Sequence, residues 1–214
     1  MKHSKHTSKR SKSSQRWLKE HFSDAYVKRA QKEGVRARSF YKLEEINQRY
    51  QIIKQGMIVV DLGAAPGGWS EACVKLVGSK GKVYALDILP INPIPGVDFI
   101  QGDFSDNDVV TSLLHSIGEH SVDVVISDMA PNMSGIIDVD IPRSMNLVES
   151  AFSFAILALK NKGSFLTKIF QGEGFDSFLK LLRSHFKEVI SIKPKASRAR
   201  SRELYLLARG FVVK

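Results

Sequence analysis

One stretch of the chain constrains its fold more than any other: Asp61-Leu-Gly-Ala-Ala-Pro-Gly-Gly-Trp69. It follows an apolar run ending at Val60 and precedes a segment whose apolar residues recur at helical spacing. This order predicts a strand, a glycine loop and a helix, a unit whose backbone N–H groups closely approach a bound ligand. We therefore expect a parallel α/β sheet that binds a nucleotide-like cofactor at the carboxyl ends of its strands.

The glycine loop does not fit the two common phosphate-binding patterns. No lysine follows its last glycine, as a P-loop requires, and the spacing around Pro66 does not fit a dinucleotide fingerprint. A carboxylate at Asp61 repels a pyrophosphate but suits a ligand that carries a cationic centre and hydroxyls. S-adenosylmethionine, with a sulfonium, an ammonium, a ribose and no phosphate, is the cofactor these features favour.

Two further predicted strands end in acids, Asp87 and Asp103. In an open α/β sheet such positions border the ligand crevice, and an acid one βαβ unit after the first strand can accept hydrogen bonds from ribose hydroxyls. A single strand-end aspartate often only caps a helix or a turn. Three of them, counting Asp61, beside a glycine loop favour a ligand site.

The rest of the chain alternates between segments with the periodicity of helices and segments with the periodicity of strands. This alternation predicts a doubly wound, Rossmann-like α/β sheet with a terminal antiparallel strand. The predicted parts are a disordered basic tail (1–16), a basic helical extension (17–54) and a cofactor-binding domain (55–214). The predicted helices are 25–33, 39–49, 68–77, 106–117, 143–160 and 174–184, and the predicted strands are 57–61, 82–87, 97–100, 122–127, 163–170, 186–193 and 203–212.

Charge is unevenly distributed along the chain. Residues 1–54 hold 15 of the 32 Lys and Arg residues against five acids, and residues 193–202 hold five more basic side chains. Residues 55–192 are acidic, with 16 Asp and Glu against ten Lys and Arg. This distribution favours a polyanion such as RNA on the basic ends and a cationic cofactor in the middle, although the tail alone could be a solvated arm.

The expected compartment follows from what the sequence lacks. The single cysteine, Cys73, excludes an intrachain disulfide and a cysteine-based zinc site. No apolar run approaches membrane-spanning length, and the start of the chain shows no signal-peptide pattern. We expect a monomeric cytoplasmic protein without membrane contact.

Two strand ends carry residues that could perform chemistry. Asp128 is followed by Met-Ala-Pro, whereas methylases of exocyclic amino groups often carry Asn/Asp-Pro-Pro-aromatic at this place, so amino-nitrogen chemistry is disfavoured. Lys168 lies near the end of an apolar strand, where a lysine is rarely buried without a partner. It could also be a lysine whose stem is buried and whose amine reaches solvent.

Five segments in order carry a more specific signal. They are Arg38-Ser-Phe-Tyr-Lys-Leu-Glu-Glu-Ile46, Asp61 to Ser70, Asp128-Met-Ala-Pro-Asn-Met-Ser-Gly135, Lys168-Ile-Phe170 and Ser197-Arg-Ala-Arg-Ser-Arg-Glu-Leu-Tyr205. In these the chain resembles the RrmJ/FtsJ family of ribose 2′-O-methyltransferases, from about Trp17 onward. The resemblance implies S-adenosylmethionine as methyl donor and large-subunit ribosomal RNA as substrate, with a uridine of the 23S A loop as the target in the assembled subunit.

The resemblance also implies site residues. The catalytic residues would be Lys42, Asp128, Lys168 and Glu203, and the cofactor contacts Gly67, Trp69, Asp87, Asp103 and Asp128. Taken singly, Lys42 and Glu203 would be interpreted as solvated charges, so only the resemblance places them in a site.

The chemistry of this tetrad can be argued from its residue types. A ribose 2′-hydroxyl is a poor nucleophile and needs a base or strong positioning. A neutral lysine amine is such a base if burial or a neighbouring cation lowers its pKa, which favours Lys168 as the base and Lys42 as the cation. Asp128 and Glu203 would hold the two amines, and no metal is required.

Two alternatives stay open at this point. One keeps the chemistry but takes tRNA or another RNA as substrate, since phosphate contacts carry no sequence information. The other is a non-catalytic RNA-binding factor of ribosome assembly that retains a cofactor pocket.

Overall fold

The computed structural model of the protein describes residues 24–198 and 200–213, so the predicted tail and the start of the predicted extension lie outside the described residues. Seven strands form one sheet: β1 (Ile58–Leu62), β2 (Lys82–Asp87), β3 (Val97–Gln101), β4 (Val122–Ser127), β5 (Leu159–Phe170), β6 (Phe186–Ile192) and β7 (Glu203–Phe211). Their order is β3-β2-β1-β4-β5-β7-β6. Strands β1 to β5 pair in parallel, and β7 pairs antiparallel with both β5 and β6.

Within the part of the chain that the structure describes, six α-helices accompany the sheet: α1 (Ala25–Glu33), α2 (Phe40–Tyr50), α3 (Gly68–Val77), α4 (Asn107–Ile117), α5 (Ile137–Ala158) and α6 (Phe175–His185). The alternation of strands and helices confirms the predicted doubly wound sheet, and β7 confirms the predicted terminal antiparallel strand. Within the described ranges no helix is both long and apolar enough to cross a membrane.

The helices divide between the two faces of the sheet. The apolar residues of α1, α2 and α3 form one core cluster with Val59, Leu166 and Leu207, whereas those of α4, α5 and α6 form another with Val60 and Leu206. Because successive side chains of a strand point to opposite faces, both faces of the central strands are buried and their sequences are nearly continuously apolar. Helices α1 and α2, predicted as an extension, therefore share a core with the sheet.

Two element boundaries differ from the predictions by more than two residues. Helix α5 begins at Ile137 rather than near residue 143, so Pro142 lies inside it. The Asp140 carboxylate accepts hydrogen bonds from the amides of Ser134 (2.8 Å) and Gly135 (2.9 Å), which anchors the preceding loop to the first turns of the helix. Strand β5 begins at Leu159, directly after α5, because the register shift opposite Val122 and Val124 lets the chain pair four residues earlier than its apolar pattern indicates.

A buried amide joins the end of α2 to the chain that leads into β1. The side chain of Asn47 accepts a hydrogen bond from the Ile53 amide (2.8 Å) and donates one to the Ile53 carbonyl (3.2 Å). Asn47 is only 8% exposed. An Asn47→Ala substitution leaves both backbone groups buried without partners. We expect the free energy of unfolding to fall by about 2 kcal/mol.

Urea denaturation of the wild type and Asn47→Ala measures this loss. Asn161→Ala, at an exposed position, serves as the matched control and should change stability little. Equal free energies of unfolding for wild type and Asn47→Ala would contradict the conclusion that the Asn47 side chain joins the end of α2 to the chain before β1.

Candidate active site

A cavity of about 430 Å³ opens at the carboxyl ends of β1, β2 and β4. Three carboxylates line it, from Asp87, Asp103 and Asp128. Its described lining includes no Lys or Arg, and its apolar surfaces come from Leu86, Ile88, Leu89, Phe104, Met129, Pro131 and Leu147. The cavity is therefore acidic and partly apolar, and its volume suits a cofactor-sized ligand.

Asp87 connects two loops that border this cavity. One carboxylate oxygen accepts from the amide of Ala65 in the glycine loop (2.8 Å), and the other accepts from the amide of Leu89 beyond β2 (2.8 Å). Asp103 instead accepts the amide (2.8 Å) and hydroxyl (2.7 Å) of Ser105, both on Oδ1. The amide and hydroxyl bonds lower the pKa of Asp103, so an ionised carboxylate is retained at the wall.

The glycine loop needs glycine at two positions for steric reasons. Gly63 has a φ of 78°, and a Cβ atom there would lie 2.4 Å from Cγ of Met129. Gly67 has a φ of 105°, and its Cβ would lie 2.8 Å from Cδ1 of Ile94. Since L side chains rarely adopt these φ values, the loop conformation depends on glycine at both sites.

Two predicted cofactor contacts, Gly67 and Trp69, are not among the residues that line the acidic cavity. Trp69 is 2% exposed, its indole Nε1 donates to the carbonyl of Ser39 (2.9 Å), and its ring centroid lies 5.6 Å from that of Tyr205. In this structure Trp69 therefore supports the start of α2 and the Tyr205 ring. Direct contact of Gly67 and Trp69 with a cofactor stays a prediction.

Asp61 lies fully buried beneath the glycine loop. Its Oδ2 accepts from the hydroxyl of Ser70 (2.6 Å), while Oδ1 has no hydrogen-bond partner among the described residues. Burial raises the pKa of Asp61, and the nearby carboxylates of Asp128 and Asp87 raise it further. The hydrogen bond from Ser70 lowers it, and the resulting pKa is about 7. A buried acceptor without a partner favours a ligand that brings a donor or a positive charge.

The four predicted catalytic residues meet around one phenol. The hydroxyl of Tyr205 accepts from Nζ of Lys42 (2.9 Å) and donates to Oδ1 of Asp128 (2.7 Å). Lys42 also pairs with Oε1 of Glu203 at 3.0 Å. Lys168 pairs with Oδ1 of Asp128 at 3.1 Å and donates to the Asp128 backbone carbonyl. The structure thus joins all four charged groups in one network, in the order Glu203, Lys42, Tyr205, Asp128 and Lys168.

Strand pairing explains how distant residues come together. In the antiparallel pair of β5 and β7, Lys168 lies opposite Tyr205 and Phe170 lies opposite Glu203. Residues two apart on a strand share a face, so these four side chains project to the same side of the sheet. Helix α2 crosses that side and brings Lys42 from its first turn.

The network fixes the charge of its acids. Burial favours the neutral form of Asp128, but Lys168, Lys42 and the Tyr205 hydroxyl outweigh burial and hold the pKa of Asp128 below its ordinary value. Lys42 likewise outweighs burial at Glu203, whose pKa is lowered. Burial raises the pKa of Tyr205 well above its ordinary value, and the two carboxylates raise it further. The phenol therefore keeps its proton and donates it to Asp128 in a hydrogen bond.

A second cavity, of about 670 Å³, opens on the other side of this network. Lys42 and Glu203 line it together with Arg38, Arg198 and Arg200, whereas Asp128 lines the acidic cavity. Its remaining lining residues are Ser39, Met133, Phe170 and Ser201. The tetrad thus stands between an acidic cavity and a basic, partly apolar cleft.

The acidic cavity fits the predicted cofactor. Its three carboxylates and lack of described basic side chains disfavour phosphate and suit a cationic ligand. The unsatisfied Oδ1 of Asp61 beneath the loop adds a further site for positive charge or a donor.

Comparison with other proteins agrees with this fold and site. The sheet order and the cavity at the strand ends define a Rossmann-like methyltransferase. A family model described as FtsJ-like methyltransferase matches residues 35–211. The chain belongs to the FtsJ-like methyltransferase family.

Two solved structures resemble the chain. One is a protein from Plasmodium falciparum provisionally described as a ribosomal RNA methyltransferase, with 27% identity and a TM-score of 0.75 over 84% of this chain and 100% of that chain. The other, from Clostridium thermocellum and provisionally described as an rRNA methylase, has 17% identity and a TM-score of 0.53 over 80% of this chain and 97% of that chain. The second likeness concerns the fold alone.

The sequence reasoning missed Tyr205 as a member of the site. A signal was available, because Tyr205 lies two residues after Glu203 on a strand and must share its face. An aromatic residue in an apolar strand is nevertheless ordinary core, and only the contacts of its hydroxyl separate it from that interpretation.

Replacing Tyr205 with Phe should slow methyl transfer without unfolding the protein. The ring still packs on Trp69, but Lys42 and Asp128 lose their shared partner. We expect kcat to fall about 10- to 100-fold, which corresponds to the typical penalty of a buried unpaired polar group. Steady-state kinetics with labelled methyl donor measures the effect, and the melting temperature reports on the fold.

Tyr84→Phe is the matched control, because the Tyr84 hydroxyl donates to the carbonyl of Ser116 (3.2 Å) away from the network. It should leave kcat unchanged. A Tyr205→Phe enzyme with wild-type kcat would show that the phenol does not position the tetrad.

Asp61 generates a prediction on pH and stability. Its native pKa of about 7 exceeds the ordinary 3.8, so between these values the folded protein retains a proton that the unfolded chain releases. This carboxyl therefore lowers the free energy of unfolding progressively as pH rises from about 4 to 7, with no further change above. The Asp61→Asn variant has no ionisable carboxyl at this position, so this contribution to the pH dependence of its stability is absent.

Urea denaturation of wild type and Asp61→Asn across that pH range isolates the effect. The stability of Asp61→Asn relative to wild type should grow as pH rises through the window and then level off. A difference that does not vary with pH would contradict a titrating Asp61.

Proposed function

We propose that this protein transfers a methyl group from S-adenosylmethionine to a ribose 2′-hydroxyl of large-subunit ribosomal RNA, at a uridine of the 23S A loop. The observation that carries the proposal is the position of the tetrad between an acidic cavity and a basic cleft. A reaction between a cationic donor and an anionic polymer needs such a boundary, where the two reactants meet at a few fixed side chains.

The acidic cavity would hold the cofactor. Asp87 would accept hydrogen bonds from ribose hydroxyls, and the exposed apolar side chains of Ile88 and Leu89, with Phe104, would offer surfaces for a base. When bound, S-adenosylmethionine supplies an electrophilic methyl group on a positively charged sulfur. Asp128 belongs both to this cavity and to the tetrad, so it would relate the donor to the reacting centre.

The basic cleft would hold the target nucleotide. Arg198 and Arg200 supply cations for the flanking phosphates, as RNA backbones require. Met133, which is 56% exposed, and Phe170 line the same cleft as Lys42 and Glu203. A nucleotide whose ribose lies at the tetrad could rest its base on these two apolar surfaces.

The tetrad would orient and deprotonate the hydroxyl. Lys42, fixed by Glu203 and Tyr205, directs an N–H group into the cleft to position the ribose. Lys168 is assigned as the group that accepts the hydroxyl proton, and Asp128 fixes its amine. Alignment of hydroxyl and donor should contribute much of the acceleration, since well-oriented reactants gain roughly 7–11 kcal/mol.

The assignment of ribosomal RNA as the substrate rests on similarity to other proteins and not on contacts that would recognise particular bases. Family membership supports a methyltransferase, and the similarity to the Plasmodium falciparum protein supports ribosomal RNA as the substrate class. The A-loop uridine rests on the resemblance of the five sequence segments.

Lys168 can be tested as the base with two substitutions. Lys168→Ala removes the amine, whereas Lys168→Arg keeps a positive charge and hydrogen bonds to Asp128 but cannot act as a neutral base. We expect both to lower kcat by about 10² to 10⁴, the usual contribution of general base catalysis. Full activity of Lys168→Arg would reassign Lys168 to charge and positioning.

The substrate can be tested by the location of the methyl group. RNA from cells with and without the gene is mapped for 2′-O-methylation, and purified protein is offered large subunits, free ribosomal RNA and tRNA. The proposal expects one gene-dependent 2′-O-methyl uridine in the A loop and labelling of large subunits. Labelling of tRNA alone would make the RNA assignment wrong, and no labelling of any RNA would favour the non-catalytic factor.

A further inference from the structure

A third cavity, of about 390 Å³, lies near the amino end of β5, whereas the catalytic centre lies near the carboxyl end of the same strand. It is formed where α2 ends, where β5 and β6 begin and where β7 ends. Four cations line it, from Lys54, Lys162, Lys187 and Arg209, against one acid, Glu188. We refer to this cavity as the far-edge groove. Its other lining residues are Gln51, Ile52, Met57, Ser164 and Gly210.

Most of the positive charge in the far-edge groove is uncompensated. Arg209 pairs with Glu188 at 3.4 Å, but within the described residues the three lysines have no acidic partner. Two lysines elsewhere on the surface do have one: Lys75 pairs with Glu71 at 3.0 Å and Lys82 with Asp98 at 2.8 Å. Three unpaired ammonium groups around one concave surface attract an anion with several charges.

The backbone at the groove is also unusual. Among the described residues three non-glycine residues have a positive φ, and two of them line this groove: Gln51 (49°) and Lys162 (67°). The left-handed conformation costs an L residue roughly 1–2 kcal/mol. Such strain tends to collect at ligand sites.

The far-edge groove and the catalytic centre lie on the same face of the sheet. Arg209 is four residues from Tyr205 on β7, and Ser164 is four residues from Lys168 on β5, so each pair shares a face. Helix α2 spans the distance, with Lys42 in its first turn and Gln51 directly after its end, about 14 Å along the axis. Between them lies a small cavity of about 220 Å³ lined by two cations, Arg49 and Lys193, and by one acid, Glu45, whose carboxylate accepts from the amide of Lys195.

We infer that the far-edge groove binds backbone phosphates of the same RNA strand whose target nucleotide occupies the catalytic cleft. This inference rests on the proposed function for the identity of the polymer. A strand leaving the cleft along α2 passes Arg49 and Lys193 and reaches Lys54, Lys162 and Lys187. Because lysines contact phosphates as point charges, the groove would add affinity and orientation but no base specificity.

Binding measurements with two lengths of RNA test this path. A single-stranded RNA of about 16 nucleotides is long enough to reach the groove from the cleft, whereas one of about 4 nucleotides is confined to one site. Lys54→Gln/Lys187→Gln should weaken binding of the long RNA roughly tenfold at low salt and reduce its log Kd–log salt slope by about 1.4, without affecting the short RNA. Lys162→Gly removes a charge and the left-handed strain, and should reduce the slope by about 0.7.

The matched control is Lys180→Gln/Arg183→Gln on α6, which packs on the opposite face of the sheet. It removes the same charge and should leave the slope for the long RNA unchanged. A groove variant with the wild-type slope, or one that weakens both RNA lengths equally, would overturn the inference. So would an equal effect of the control.

The two proposals fail separately. Methylation of RNA by the wild type tests the proposed function, while binding and its salt slope test the groove. RNA that binds through the groove but is never methylated would refute the function and leave the groove assignment intact.

Discussion

The hydrogen bonds of one hydroxyl hold the candidate active site together. Tyr205 accepts a hydrogen bond from Lys42 and donates one to Asp128, so it separates two ion pairs while connecting them. Without it, the Lys42–Glu203 and Lys168–Asp128 pairs would share no hydrogen-bonded group and would interact only through their charges. The phenol requires burial on all sides, which Trp69 and the crossing of α2 provide. The position of α2, the conformation of the glycine loop and the pairing of β5 with β7 all meet at this group.

The distribution of charge along the chain corresponds to a distribution in space. The acidic cavity is lined by residues between 63 and 147, which belong to the acidic middle of the sequence. The cations of the basic cleft come from residues 38–42 and 198–200, which belong to its basic ends. The sheet brings the two ends together because β7 lies beside β5 and α2 packs on the face of the sheet that carries Tyr205. The acidic cavity and the basic cleft are thus assembled from different parts of the chain.

The sequence predicted most of the sheet and the four charged members of the site, but by different means. Local periodicity was sufficient for strands such as β2 and for helix α3, since each has one dominant pattern. It failed at the start of α5, where Pro142 resembles a helix beginning although the Asp140 carboxylate anchors the loop well before it. Lys42 and Tyr205 are 163 residues apart, and no periodicity links them. Resemblance found Lys42, whereas the role of Tyr205 needed the contacts of its hydroxyl.

The strand order has a consequence for how the protein is made. Strand β6 precedes β7 in the chain but lies outside it in the sheet, so β6 has no strand to pair with until β7 has been synthesised. Either β6 and β7 pair with each other and join β5 as a hairpin, or β7 pairs with β5 before β6 is added. Because Glu203 and Tyr205 belong to β7, the same event that completes the sheet also delivers two of the five residues of the hydrogen-bonded network. A growing chain therefore lacks the complete network at any earlier stage, and the network is completed only when the fold closes.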